Sequence, residues 1–94
     1  MGNAIVSMTI MPESPETNME AVKDGAIEVL KANGSIGDVA SKLIPIAFGI
    51  QHLQISVMFD NDKQVEYEEV ADQITAKVDG VTDSKVNSVD LAMG

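Results

Sequence analysis

Hydrophobic and polar positions along the chain fall into stretches of two different periods. From Ala4 to Met11, Val6, Met8 and Ile10 alternate with Ser7 and Thr9, the period of two that a strand with one buried face requires. Met11-Pro12-Glu13-Ser14-Pro15 ends that run, because proline has no N–H to give to a ladder. The period then becomes helical: Met19, Val22, Ala26, Val29 and Leu30 form one stripe. Thr17-Asn18-Met19-Glu20 reads as a capping box, with the Thr17 hydroxyl at the helix start and Glu20 reaching back. Asn33-Gly34 supplies a left-handed stop.

The second half repeats the unit. A strand is expected over Val39 to Ile46, and another over Ile50 to Phe59 with Leu53, Ile55, Val57 and Phe59 on one face. His52, Gln54 and Ser56 share the opposite face, which should be wet. Asp60-Asn61-Asp62 forms a turn. A helix from about Gln64 to Val78 follows, with Tyr67, Val70, Ala71, Ile74 and Val78 as its stripe, and Asp79-Gly80 ends it. Val81 to Leu91 reads as a last strand in which Val86 and Val89 have the wrong spacing for one face, so a bulge is expected there. The order βαββαβ is the split βαβ pattern. It predicts an α+β, ferredoxin-like sandwich: a four-stranded antiparallel sheet with both helices on one face and the other face open.

Composition narrows the function. The 94 residues carry 15 acids against six lysines, with no arginine, for a net charge of −9. A phosphate backbone is bound through clustered Lys and Arg, so direct contact with nucleic acid is not expected. A basic protein partner fits better, with mere solubility as the plain alternative. There is no cysteine, which excludes disulfides and thiolate chemistry and fits a reducing compartment. No apolar stretch is long enough to span a bilayer, and the N-terminus does not read as a signal peptide, so a cytoplasmic protein is expected.

Catalytic constellations are sparse. His52 is the one histidine, so a histidine-based metal site is not available, and its spacing to Ser and acid residues suggests no triad. A calcium loop opening at Asp60 would need Gly and Glu where Val65 and Ala71 stand. No glycine-rich phosphate loop is present, so no cofactor or metal is implied. Glu66, Glu68, Glu69 and Asp72 read as the solvated side of the second helix. Phe48 is different. Aromatic residues make up 3% of the chain, and this one stands before Gly49 at a turn. It either folds back over the edge of the core or is exposed as an anchor for a partner.

Two stretches carry a family resemblance. Met11-Pro12-Glu13-Ser14-Pro15 is similar to the start of archaeal elongation factor 1-beta after its first strand. Lys42-Leu43-Ile44-Pro45-Ile46, followed after one residue by Phe48-Gly49-Ile50 and then by Leu53-Gln54-Ile55, resembles both archaeal and eukaryotic members, and the pattern continues to Lys63. The resemblance implies a guanine-nucleotide exchange factor for the GTPase elongation factor 1-alpha, GDP-bound or nucleotide-free, and not an enzyme. The length resembles the archaeal form, so a single exchange domain over residues 1–94 is expected. The implied partner-binding residues are Pro45, Phe48, Gly49 and His52, with Val89, Leu91 and Met93 near the C-terminus. Eukaryotic members carry a lysine near the terminus that approaches the magnesium and phosphate site of the GTPase. Here the last lysine is Lys85, so the apolar Leu91 and Met93 are the residues left to act there. The rival reading is a small ligand-sensing or assembly module of the same fold, similar to ACT domains.

Overall fold

The computed structural model describes residues 3–60 and 65–92, the side chains of Leu91 and Ala92 excepted. Its elements are β1 (Asn3–Pro12), α1 (Met19–Ala32), β2 (Ser35–Pro45), β3 (Gln51–Asp60), α2 (Tyr67–Lys77) and β4 (Val81–Ala92). The strands form one sheet in the order β2-β3-β1-β4, every neighbouring pair antiparallel. This is the expected ferredoxin-like α+β fold.

The core is built where the two periods meet. Val6, Met8 and Ile10 of β1 and Leu53, Ile55, Val57 and Phe59 of β3 turn toward the helices. Val22, Ala26, Val29 and Leu30 of α1 meet them, as do Val70 and Ile74 of α2. Tyr67 opens α2 against Phe59, with ring centroids 5.2 Å apart and a tilt of 53°, within the geometry aromatic pairs prefer. The two helices come close at Gly25: a Cβ placed there would lie 3.0 Å from Val78 Cγ1. Ile5, Ser7, Thr9, His52, Gln54 and Ser56 lie on the opposite, half-buried face of the sheet.

Some boundaries differ from the sequence expectation for identifiable reasons. The α1 cap is Asn18, whose Oδ1 accepts from the Glu20 and Ala21 N–H groups at 3.1 and 3.3 Å. Thr17 Oγ1 instead accepts from the Ser14 N–H and closes the β1–α1 loop. The cap one residue later leaves Glu20 too near the helix start for a capping box. β2 begins at Ser35 and not at Val39, because Gly37, Asp38 and Val39 bulge between the pairs Ile36–Met58 and Ala40–Ser56. The Gly37 φ of 73° makes that detour accessible. In β4 the expected bulge is present: Ser7 pairs with Ser88 but Met8 with Val86, leaving Asn87 unpaired in the ladder. Its side chain donates to Thr9 Oγ1. β4 continues to Ala92, and α2 begins at Tyr67. The expected α2 start at Gln64 and the Asn61-Asp62 part of the turn lie outside the described residues.

Candidate functional site

Three connections gather at one end of the sheet. The Glu13 N–H donates to the Gly80 carbonyl at 2.8 Å, tying the β1–α1 loop to the α2–β4 turn. A Cβ built on Gly49 would lie 3.9 Å from Pro15 Cβ, so the β2–β3 turn lies beside the same loop. Within that turn the Ile50 N–H donates to the Ala47 carbonyl at 3.0 Å, and the Ile46 N–H to the Ile50 carbonyl at 2.8 Å.

The turn's two central residues, Phe48 and Gly49, have φ of 57° and 78°. Positive φ at both central positions is the requirement of a type I′ turn, which favours Asn, Asp and Gly. Glycine meets it without strain; a bulky side chain at φ > 0 is a genuine outlier. Phe48 is nevertheless 95% exposed. It does not fold back over the core, and no packing compensates the strained backbone at that ring. A large apolar side chain held out by a conformation that disfavours it is a feature typical of functional sites.

The neighbouring side chains extend the patch. Leu43 is 45% and Ile46 50% exposed, so three of the five exposed large apolar side chains among the described residues fall between residues 43 and 48. Pro45 is exposed, and His52 is half-buried and paired with Ile44. The structure therefore brings Pro45, Phe48, Gly49 and His52 to one corner. Leu43 and Ile46, exposed beside that corner, are not among the candidate residues the sequence marks. The signal was the unbroken run Leu43-Ile44-Pro45-Ile46, which alternation cannot place on a single face.

Val89 and Leu91 lie elsewhere. Val89 pairs with Val6 and is exposed, and Leu91 pairs with Ala4, which itself faces Phe59. That is the far end of β3 from the Phe48 turn, a separation of roughly 30 Å at about 3.3 Å per strand residue. Met93 lies outside the described residues. Lys85 is an exposed residue within β4, opposite Thr9. Among the described residues, no group of three or more His, Asp or Glu is placed to hold a metal ion. No described helix is long and apolar enough to cross a membrane.

Residues 5–93 match the model of the EF-1 guanine nucleotide exchange domain family. The chain is 32% identical over 87 residues to elongation factor 1-beta of Methanosarcina acetivorans, an alignment covering 92% of this chain and 93% of that protein. It is similar to elongation factor 1-beta of Methanoculleus marisnigri at 33% identity over 86 residues, covering 92% and 93% of the two chains. With the protein of that name from Methanothermobacter thermautotrophicus it shares 27% over 89 residues, covering 95% and 96%.

Proposed function

Because the chain belongs to the family of EF-1 guanine nucleotide exchange domains, we propose that it accelerates GDP release from the GTPase elongation factor 1-alpha, as a single domain working in the cytoplasm. The observation that carries this reading is Phe48, 95% exposed on a backbone at φ 57°. A rigid, protruding aromatic suits a partner's pocket, where buried aromatic anchors supply a large share of binding energy.

Exchange of this kind needs no covalent step. A factor that binds the nucleotide-free GTPase more tightly than the GDP form weakens GDP by the same coupling free energy. GDP is held largely through its phosphates and magnesium, so disturbing that region speeds release. On this reading the Phe48 corner anchors the GTPase. The far end of β4, with Val89 and Leu91, reaches toward the nucleotide. The roughly 30 Å between them lets one rigid sheet touch two parts of the GTPase at once. Lys85, within the strand, plays the smaller part.

The test is GDP release from the cognate GTPase, followed with a fluorescent nucleotide. Micromolar factor should accelerate release by orders of magnitude. No acceleration, together with a stable dimer that binds an amino acid, would replace this reading with the ligand-sensing one.

A further inference from the structure

The sheet ends in β2 on one side and β4 on the other. An open edge strand is a template for another chain, and proteins blunt such edges with proline, lysine and bulges. β2 carries Pro45, Lys42 and the detour between Ile36 and Ala40. β4 is twelve residues long and has no proline. Its main interruption is the bulge at Asn87, and a bulge spoils a ladder only against a strand that lacks a matching one. The bulge also exchanges the faces of β4. Ahead of it Val86 lies on the core side, opposite Met8, and beyond it Val89 does, opposite Val6. Lys85 and Asp90 lie on the open side, opposite Thr9 and Ile5. Positions an even number of residues apart on β1 share both a face and a hydrogen-bonding direction. Lys85 therefore matches Asp90 on both counts, and Val86 matches Val89.

We infer that β4 pairs antiparallel with β4 of a second copy of this chain, about a two-fold axis between Asn87 and Ser88, joining the two sheets into one. In that register each Lys85 faces Asp90 of the other copy, each Val86 faces Val89, and the two bulges meet at the axis. Every contact occurs twice, as a two-fold interface requires. Neighbouring registers fail. An axis on Asn87 or on Ser88 sets Val86 against Ser88 or against Asp90, a core-side residue against an open-side one. An axis between Ser88 and Val89 makes the same mismatch between those two. An axis between Val86 and Asn87 keeps the faces but sets Asp83 against Asp90 twice, and like charges directly opposite are destabilising. The favoured register also covers Val89, 44% exposed in the single chain, with a β-branched cross-strand neighbour. The inference does not rest on the exchange reading. Where both hold, the monomer is the form that meets the GTPase, because the pair covers Val89.

The experiment follows the mass of the full chain by sedimentation velocity up to millimolar concentration, since mutual repulsion between two chains of net charge −9 keeps the pair weak. The unaltered chain should pass from monomer to dimer. Lys85→Asp and Asp90→Lys should each weaken the dimer roughly tenfold, and the double variant Lys85→Asp/Asp90→Lys should restore it. Register is read separately. The chain has no cysteine, so Val86→Cys protein mixed with Val89→Cys protein should form a disulfide-linked dimer on oxidation that neither gives alone. A monomer at every concentration, a dimer indifferent to the single charge reversals, a folded double variant that stays monomeric, or no mixed disulfide would each overturn the pairing.

Discussion

β1 and β3 occupy the middle of the sheet and β2 and β4 its edges, and the two pairs differ in how strictly they alternate. In β1 every second residue from Ala4 to Pro12 is buried, and in β3 every second residue from Leu53 to Phe59. β2 buries none of its eleven residues. Among the described residues, the five exposed large apolar side chains, Ile36, Leu43, Ile46, Phe48 and Val89, all lie in the edge strands or in the turn that leaves β2. The register shifts of the sheet likewise fall in β2 and β4. A central strand has neighbours on both sides and helices above it, so the core dictates each position. An edge strand is freed from part of that demand, and its apolar residues become available to a partner.

The largest expected effect comes from breaking the central pair. Phe59 is fully buried and packs its ring against the tilted ring of Tyr67. Phe59→Ala should cost about 3–5 kcal/mol, a large part of the stability of a domain this small, about 5–15 kcal/mol. Urea denaturation checks this, and GDP release per folded molecule should hold steady. A cost near that of a surface substitution would mean the central strands do not carry the fold.

The edge should respond the opposite way. Phe48→Asn places at positive φ a residue that tolerates it, relieving about 1 kcal/mol of backbone strain, so thermal stability should hold or rise. Affinity for the GTPase should fall by about 2 kcal/mol or more. Loss of fold with undiminished affinity in the folded fraction would return Phe48 to the core and erase the contrast between centre and edge.

The smallest effect sharpens the comparison inside β4. Ser84 faces the core opposite Ile10 and is 6% exposed, and its hydroxyl has no hydrogen-bond partner among the described residues. An unpaired buried hydroxyl is destabilising, so Ser84→Ala should raise stability by about 1 kcal/mol and leave exchange unaltered. A fall in melting temperature would show that the edge strand is as exacting as the centre.

Local pattern was enough for much of this molecule. Strict alternation marked the buried faces of β1 and β3, the helical stripes marked α1 and α2, and the misplaced Val86 and Val89 marked the β4 bulge, because each of these is a property of neighbouring residues in the chain. The candidate site was legible as a motif around Phe48 and Gly49, but not as a surface. That Phe48 points outward, that Leu43 stays uncovered, and that Val89 and Leu91 end at the opposite end of the sheet depended on which strands became edges and where α1 crosses them. The same holds at smaller scale for the cap on Asn18, whose rival Thr17 was taken by Ser14 in the loop. Sequence period determines which side of an element is apolar; only the packed arrangement of elements decides whether that side is covered, since coverage depends on partners distant along the chain.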